Sequence, residues 1–459
     1  MQTGELEAFE IERRLGKRIR PLRSLAESVW ICLYLFLIAF PLLILIVGQV
    51  PKGGGFWWDF SMGLGFTGLA IMGLQFVLTA RFRGATAPFG IDIIYFFHRW
   101  VAIVGIVLVL GHYVILRIGY GAALPPLNPA EAPWHITAGR LALIIFLGLI
   151  VTSIWRKQLK IEYDRWRFWH GVFALIAVAL AILHINGVGY YTAALPRKIL
   201  WTTYSAMWLL ALLYIRVVRP LSLLRKPYDV VSVRQERGDS WTVSVEPSGQ
   251  HRLKFHPGQF AWLTIGSSPL CAKEHPFSFS SSADNAKTLQ FTIKELGDFT
   301  RTIRDLQKGE VAYVDAPHGV FTPDFYPDAP GFGFIAGGVG IAPIMGMLRT
   351  LADRSDKRPL LLIYGNANWD RVIFREEIES LKGVLNLRVV HVLSEPPPGW
   401  TGATGILTDA VLRESLPCES CKFVFFVCGP KGMTQSALRT LRALGVPLWR
   451  VHSEHFDMA

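Results

Sequence analysis

Residues 91–119 read IDIIYFFHRWVAIVGIVLVLGHYVILRIG, an apolar stretch long enough to cross a lipid bilayer as a helix. It carries two histidines, His98 and His112, which are fourteen residues apart. Fourteen residues of α-helix rise about 21 Å and return to nearly the same face of the helix. The stretch therefore predicts a membrane helix with two imidazoles along one side, one near each surface of the bilayer.

A second apolar stretch, residues 164–188, repeats this arrangement with His170 and His184, again fourteen residues apart. A single histidine in an apolar helix is typical of an interhelical hydrogen bond, but two helices with matching pairs are not explained that way. Ionisable groups are costly in hydrocarbon and mark functional sites there. Two such helices face to face predict two stacked bis-histidine haem sites, which suit electron transfer because no iron position stays open.

The composition separates the chain into a membrane part and a water-soluble part. Nearly all long apolar runs precede Val218, and 459 residues suffice for two or three domains. The net charge of +12 would suit nucleic acid, but the basic residues lie mainly beside the apolar runs, where membrane topology explains them. We therefore expect no nucleic-acid partner. The five cysteines are few, which is typical of a reducing compartment.

Six apolar runs predict six membrane helices after a basic tail at residues 1–26. Lys and Arg cluster after the second run and between the fourth and fifth runs, whereas the alternate connections carry little charge. The positive-inside rule therefore places both termini in the cytoplasm. The predicted spans, which make a membrane domain of residues 27–220, are 27–50, 57–80, 91–118, 135–155, 166–188 and 199–218.

This topology also predicts how the histidines pair. The third and fifth spans run in the same direction, from the cytoplasmic to the outer side. His98 should therefore face His170 near the cytoplasmic surface, and His112 should face His184 near the outer surface.

After residue 226 the sequence changes to short β-rich runs separated by turn residues. Five such runs within residues 226–326 predict a small antiparallel β-barrel: VVSVRQE, WTVSVEP, QFAWLTI, LQFTIKE and VAYVDAP. Residues 330–459 instead alternate apolar strands with helical stretches, beginning with the strand, glycine loop and helix of GFIAGGVGIAP. This alternation predicts an α/β doubly wound parallel sheet, which binds ligands at the carboxyl ends of its strands.

Three loops of the soluble part carry groups that suit a flavin dinucleotide and a nicotinamide dinucleotide. The first, His275-Pro276-Phe277-Ser278-Phe279-Ser280, offers hydroxyls and amides to a flavin ring, although a serine-rich loop after a strand is also typical of a plain turn. The second, Gly297 to Thr300, opens a helix whose free N–H groups suit a pyrophosphate. The third is a phosphate loop made of Gly337, Gly338 and Gly340, with Pro343 after it.

The order of these parts resembles the ferric reductase and NADPH oxidase superfamily, in which a six-helix haem domain is fused to a ferredoxin-NADP reductase-type dehydrogenase. The likeness covers nearly all of the chain after the basic tail. No calcium-binding loop or long regulatory extension precedes the spans, so the chain looks like a minimal bacterial form. The resemblance therefore implies an integral protein of the bacterial inner membrane, with the flavin domain in the cytoplasm.

This resemblance also implies the roles of individual residues. The four membrane histidines would be the axial ligands of two b-type haems. His275–Ser280 would bind FAD, with Ser278 beside its reactive nitrogen, while Gly297 and Thr300 would contact its pyrophosphate. Three further positions would lie beside the reacting rings: Cys428, followed by Gly429 and Pro430, at the nicotinamide, and Phe456 as the terminal aromatic that covers the flavin.

The choice between NADPH and NADH depends on the residues that follow the second strand of the parallel sheet. Asn366, Asn368, Arg371 and Arg375 lie there, and no acidic residue stands at the end of the strand to bind a ribose hydroxyl. A basic group such as Arg371 suits a 2′-phosphate. The sequence therefore favours NADPH over NADH.

We expect this chain to carry electrons from NAD(P)H through FAD and two haems to an acceptor on the outer side, dioxygen before ferric chelates, a quinone or a protein partner. Arg117, Arg140 and His135 lie towards that side, where they either stabilise a developing negative charge or cap and snorkel at the interface. A channel with histidines in a proton path would not need the flavin module. A reductase with a membrane anchor would need one span, not six.

Overall fold

The computed structural model describes residues 25, 27–45, 52–82, 91–271, 273–416 and 422–454. The chain divides into two compact units, one spanning Leu25–Pro220 and the other containing the residues from Leu221 onward. The basic tail predicted at residues 1–26 falls outside the described residues except for residue 25, and so does Phe456.

The membrane unit has, within the described ranges, five helices long and apolar enough to cross a bilayer, where the sequence predicted six. The first predicted span corresponds to a shorter helix, α1, at Glu27–Leu43, and residues 46–51 after it lie outside the described part. The five long helices are α2 (Phe56–Leu78), α3 (Ile91–Gly119), α4 (Trp134–Ile154), α5 (Tyr163–Val188) and α6 (Leu195–Leu224).

The two helices that carry the histidine pairs each pack on a different neighbour. Helix α3 packs on α2, and α5 packs on α4, much more closely than α3 and α5 approach each other. Glycine allows the close approach of α2 and α3, since a Cβ added at Gly68 would lie 2.6 Å from the Val109 side chain. The bundle thus presents the histidines from two separate helix pairs.

The first part of the soluble unit is a curled antiparallel sheet. Its six strands are ordered β4-β3-β6-β1-β2-β5, and one isolated bridge between Phe279 and Phe291 links the two ends. The sequence predicted a β-barrel, and the structure confirms the antiparallel sheet but not a closed barrel. The strands are β1 (Tyr228–Glu236), β2 (Ser240–Pro247), β3 (Phe260–Ile265), β4 (His275–Ser278), β5 (Leu289–Lys294) and β6 (Val311–His318), with a short helix α7 (Asp298–Thr302) after β5.

The second part is the parallel sheet that the sequence predicts, in the order β10-β9-β8-β7-β11-β12. Both faces are covered, because alternate strand residues such as Phe334 and Ile335 belong to different apolar cores. The strands are β7 (Phe332–Gly337), β8 (Leu360–Asn366), β9 (Leu387–Leu393), β10 (Ala403–Thr404), β11 (Val424–Cys428) and β12 (Val451–Glu454). The helices are α8 (Ile341–Asp353), α9 (Arg375–Leu381), α10 (Asp409–Ser415) and α11 (Lys431–Ala443).

A partly buried arginine of α8 joins the two sheets of the soluble unit. Arg349 donates to both carboxylate oxygens of Glu377 at 2.7 Å. It also donates to the carbonyl of Ser280 at 2.6 Å and to the side chain of Gln290 at 2.9 Å, both in the antiparallel sheet. Such charge-assisted bonds fix the loop after β4 against the parallel sheet.

Candidate functional site

The first histidines of α3 and α5, His98 and His170, form what we call the N-terminal pair. Their ring centroids are 6.4 Å apart and their planes are inclined by 67°. An imidazole nitrogen binds a metal at about 2 Å, so two rings on opposite sides of one metal have centres roughly 6 Å apart. The spacing of this pair is therefore that of two axial imidazoles.

The second histidines, His112 and His184, form the C-terminal pair and are close enough to interact electrostatically. The Nδ1 atom of His112 lies 2.8 Å from the carbonyl oxygen of Ser61, and that of His184 lies 2.9 Å from the carbonyl oxygen of His135. Each imidazole therefore donates its Nδ1 proton to the backbone of a neighbouring helix. This bond fixes the tautomer and leaves Nε2 as the atom that faces a ligand.

The Nε2 atoms of the four histidines are in a state that suits axial ligands of two haems. Within the described residues, no hydrogen bond reaches the Nε2 atom of any of the four histidines. Neutral imidazole with a free Nε2 is the form that binds iron. The pairing by depth that the topology predicts, His98 with His170 and His112 with His184, agrees with these contacts.

The predicted flavin motif follows β3 and places aromatic and hydroxyl groups on one short strand. His275 stacks on Phe299 of α7 at 3.8 Å between ring centroids, and Phe277 stacks on the same ring at 6.1 Å. The hydroxyl of Ser278 is buried and has no hydrogen-bond partner among the described residues. A buried hydroxyl without a partner costs free energy unless a ligand supplies one. The motif therefore fits a polar planar ligand such as a flavin.

Two members of the motif lie elsewhere. Phe279 is fully buried in the core of the antiparallel sheet and stacks on Phe255 at 4.1 Å. Ser280 is also fully buried, and its hydroxyl accepts a hydrogen bond from Thr292 at 2.9 Å. The structure thus gives these two positions a role in holding the strand, where the sequence predicted contacts with the cofactor.

The predicted pyrophosphate cradle at the start of α7 is partly filled by the chain itself. The hydroxyl of Thr300 accepts hydrogen bonds from the backbone amides of Leu296 at 2.8 Å and Gly297 at 2.9 Å. Asp298 also places a negative charge in the first turn. The hydroxyl and the first amide that the sequence assigns to a phosphate are therefore used in a local cap, because α7 is a single short turn that needs its own capping.

The predicted dinucleotide loop and the Cys428 segment come together at the carboxyl ends of adjacent strands β7 and β11. A Cβ at Gly340 would lie 2.2 Å from the carbonyl oxygen of Cys428, and one at Gly337 would lie 2.8 Å from Pro430. Only Gly338 of this loop has open space beside it, with a φ of +52°. Two of the glycines are therefore required by the close approach of two loops, and Gly338 is the one whose α-carbon faces open space.

The groups at this edge are otherwise buried. Cys428 is fully buried, and its burial, with the negative charge of Glu454, raises the pKa of the thiol well above its ordinary value. The thiol is therefore protonated at neutral pH and is not a nucleophile. A Cβ at Gly429 would lie 2.5 Å from Met433, so this glycine also serves packing, and Pro343 is buried in the first turn of α8.

The predicted 2′-phosphate residue Arg371 is already paired. Its guanidinium lies 3.7 Å from the carboxylate of Asp239, in the turn between β1 and β2. Arg375 binds Glu376 at 2.9 Å, and Arg237 of the same turn binds Glu376 at 2.7 Å. The arginines near the end of β8 are therefore each paired with a carboxylate, although Arg375 shares Glu376 with Arg237, and this pairing weakens the sequence-based preference for NADPH.

On the membrane unit, Arg140 is used in a loop rather than at a haem. Its guanidinium donates to the carbonyl oxygens of Pro126 at 2.6 Å and Pro125 at 2.8 Å. Of the two readings that the sequence left open, the structure favours capping for this residue. His135 contributes its carbonyl to His184, and its side chain lies against Gly187, where a Cβ would come within 2.3 Å.

The sequence reasoning missed the groups that support the histidines and the flavin motif. The ring of Phe299 stacks on His275 and Phe277, but nothing in the sequence predicts this contact because Phe299 lies on a different element. The backbone carbonyls of Ser61 and His135 likewise have no sequence signature of their own. Gly65 and Gly139 each lie one turn after one of these carbonyls, a small residue at the corresponding position of two apolar helices, and this signal was present in the sequence.

Three family models match successive parts of the chain. Residues 64–181 match the ferric reductase like transmembrane component, 228–311 an FAD-binding domain, and 334–439 the oxidoreductase NAD-binding domain. The helices α3 and α5 with their histidines fall within the first match, except for His184, and the flavin motif falls within the second.

The curated relatives each match about a third of this chain. NADH-cytochrome b5 reductase 1 of Eremothecium gossypii is 29% identical over 177 residues, 37% of this chain and 61% of that protein. The protein of that name from Aspergillus terreus is 30% identical over 158 residues, 32% of this chain and 52% of its own length. The chain thus spans between half and two thirds of these relatives. Among solved structures, the cytochrome P450 reductase GcoB of Amycolatopsis has a TM-score of 0.45 at 24% identity, covering 50% of this chain and 69% of that one.

Proposed function

The chain has the ferric reductase and NADPH oxidase-type architecture, a ferric reductase-like transmembrane part followed by FAD-binding and NAD-binding domains, and from this premise we propose that it is a transmembrane oxidoreductase. It moves electrons from a nicotinamide dinucleotide on the cytoplasmic side of the bacterial cell membrane to an acceptor on the outer side. When bound, FAD takes up the two electrons of a hydride and haem carries electrons one at a time.

One observation carries this proposal: two histidines from separate membrane helices stand at the spacing of two axial ligands, with their Nε2 atoms free. His98 and His170 have ring centroids 6.4 Å apart. A proton path through a channel has no need of this spacing, because proton transfer runs through hydrogen bonds between neighbouring groups. We assign His98 and His170 to the haem nearer the cytoplasm, and His112 and His184 to the outer haem.

The soluble unit holds and orients the two nucleotides. In this proposal His275, Phe277 and Ser278 contact the flavin ring, and the amides at the start of α7 after Gly297 contact its pyrophosphate. Gly338, whose side faces open space, lies against the phosphates of the nicotinamide dinucleotide. Cys428, Gly429 and Pro430 lie at the neighbouring strand end and form the wall beside the nicotinamide. The terminal aromatic Phe456 is proposed to cover the flavin, on the family resemblance alone.

The donor in this proposal is NADH. The 2′-phosphate of NADPH carries a charge of about −1.5 to −2. To bind the nearby arginines, it would have to displace the carboxylates of Asp239 and Glu376. Asn366 and Asn368 have buried side-chain amide atoms without partners among the described residues, and these neutral groups suit ribose hydroxyls.

The acceptor we infer is dioxygen. With imidazole on both sides of each iron, the acceptor needs no coordination to metal, which suits a small oxidant that takes an electron by contact. Ferric chelates, a quinone and a protein partner are the other acceptor classes. The orientation rests on the basic residues in the connection between α4 and α5 and at the start of α5, which are Arg156, Lys157, Lys160, Arg165 and Arg167.

Replacement of the ligands tests the haem assignment. In the detergent-purified full chain, His98→Ala or His170→Ala should each lower the haem content from two per chain to one and leave reduction of a soluble dye by NADH unchanged. The dye takes electrons from the flavin, so it does not need the membrane histidines. Haem content is measured as the pyridine haemochrome.

The matched control is His135→Ala, which removes a fourth-helix histidine whose contribution to the site is a backbone carbonyl. This variant should keep both haems. Two haems per chain in the His98 and His170 variants, or an equal loss in the control, would overturn the assignment.

A further inference from the structure

Helices α2 and α4 support the C-terminal histidine pair with the same local arrangement. On α2, the carbonyl of Ser61 accepts from His112, and Gly65 lies one turn later. On α4, the carbonyl of His135 accepts from His184, and Gly139 lies one turn later. Within a helix, each carbonyl oxygen already accepts one hydrogen bond from the amide four residues later. The imidazole therefore donates to the second lone pair of the carbonyl oxygen.

The glycines are what allow the rings to reach these carbonyls. A Cβ at Gly65 would lie 3.2 Å from the ring of His112, and a Cβ at Gly139 would lie 2.7 Å from the ring of His184. Any side chain there would push the imidazole away from the carbonyl. Each glycine is thus part of the hydrogen-bond site.

Fourteen residues after each glycine, at the C-cap of α2 and in the last turn of α4, a hydroxyl residue takes the place of the glycine, and the one on α4 lies beside His170. Thr79 donates its hydroxyl to the carbonyl of Gln75 at 2.9 Å, and Ser153 donates to the carbonyl of Leu149 at 2.5 Å. Thr152 also donates to the carbonyl of Leu149, at 3.2 Å. The second lone pair that an imidazole uses in the C-terminal pair is therefore occupied by side chains of the same helix.

The N-terminal pair consequently lacks strong Nδ1 bonds. The Nδ1 atom of His98 is buried and has no partner among the described residues. That of His170 lies 3.4 Å from the hydroxyl of Ser153, a long and weak contact. The two pairs thus differ: two carbonyl bonds support the C-terminal pair, and none from the described residues supports the N-terminal pair.

This difference changes how strongly the imidazoles donate to iron. An imidazole that donates its Nδ1 proton to a carbonyl is a more basic ligand. A more basic axial ligand stabilises the ferric state over the ferrous state, which lowers the reduction potential. We propose, resting on the haem assignment above, that Gly65 and Gly139 lower the potential of the outer haem, while Thr79 and Ser153 keep that of the inner haem higher. All four are positioning residues, since they act through the histidines.

The test removes the hydroxyls that donate to these two carbonyls. In the full-length Thr79→Gly/Thr152→Val/Ser153→Gly variant, the carbonyls of Gln75 and Leu149 lose their side-chain donors and are free to accept from His98 and His170. Spectroelectrochemical titration should show one haem about tenfold easier to oxidise at a given potential, which corresponds to 59 mV for a one-electron couple. The matched control, Thr79→Ser/Ser153→Thr, keeps both hydroxyls and should leave both potentials in place.

A second variant tests the glycines in the opposite direction. Gly139→Ser should raise the potential of the other haem, because the side chain displaces His184 and its hydroxyl takes the carbonyl of His135. Gly148→Ser on the same helix is the control, since a Cβ at Gly148 has nothing within 4 Å.

The outcomes separate this inference from the function on which it rests. Two haems per chain with potentials that move as stated support it. If both variants keep two haems per chain and the ratio of oxidised to reduced haem at a given potential stays within twofold of wild type, the inference is overturned and the haem assignment is left intact. Wild-type protein that purifies without haem overturns both.

Discussion

Ser278 and Ser280 are two residues apart, yet their hydroxyls have opposite surroundings. The hydroxyl of Ser278 is buried with no partner among the described residues, whereas that of Ser280 accepts from Thr292. Ser280 also gives its carbonyl to Arg349 at 2.6 Å. One serine is therefore prepared for a ligand, and the other is part of the protein core.

This contrast gives a prediction. Ser278→Ala removes an unpartnered hydroxyl, so the thermal stability of the cofactor-free protein should not fall. The rate of flavin reduction by NADH, measured by stopped flow, should fall about tenfold, the usual value of one hydrogen bond to a polar ligand.

Ser280→Ala is the matched comparison. It removes the buried hydrogen bond from Thr292 to Ser280 and should lower the free energy of unfolding by about 1 kcal/mol, with flavin reduction little changed. Equal effects of the two substitutions on flavin reduction would contradict the assignment of Ser278.

The limits of sequence prediction at this scale have a specific cause. The motif was identified as a unit, but β4 pairs with β3 as far as Ser278 and the chain then pairs with β5 through Phe279. The alternation of faces on which a strand prediction depends is interrupted at that change of partner. The four histidines were easier to predict, because spacing along one helix needs no knowledge of other elements.

Among the elements, the turn between β1 and β2 makes an unexpected contact with the loop after β8. Arg237 and Asp239 of this turn pair with Glu376 and Arg371. The carboxyl of Glu376 accepts from the backbone amide of the same residue and from Arg237 and Arg375, which lowers its pKa to about 2. This carboxyl is therefore ionised at any working pH. The segment predicted to bind a 2′-phosphate therefore carries its own anions.

We expect these anions to set the choice of donor. Wild-type protein should have a higher kcat/KM for NADH than for NADPH. In Asp239→Asn/Glu376→Gln, the ratio of kcat/KM for NADPH to kcat/KM for NADH should rise. The rise should be at most about fivefold for each carboxylate removed, since both carboxylates are exposed to solvent. Steady-state dye reduction with each nucleotide measures this.

Glu414→Gln, an exposed carboxylate change on α10, should leave the ratio unaltered. A wild-type preference for NADPH, or a ratio that does not change in the double variant, would rule out this role. The sequence favoured NADPH because it shows which arginines follow β8, but not that a turn some 130 residues earlier brings a carboxylate to one of them.

For the whole molecule, the order of the domains was predictable from the sequence. The number of long membrane helices and the closure of the antiparallel sheet were not. The change from long apolar runs to short β-rich runs predicts a membrane part and two soluble domains, which the family matches confirm. Hydropathy detects each span separately, so it gave six, where the structure describes five long helices and the shorter α1. Strand patterns likewise predict an antiparallel sheet but not whether its edges meet along their full length.

If one chain connects a nicotinamide dinucleotide to haem, NADH added to the purified, flavin-loaded protein under argon should reduce the haem. We predict that the sharp bands of reduced bis-imidazole haem appear in the wild-type spectrum, and that in His98→Ala and His170→Ala they form more slowly than in wild type or not at all. Wild-type haem that stays oxidised, while the same sample reduces a soluble dye, would contradict it.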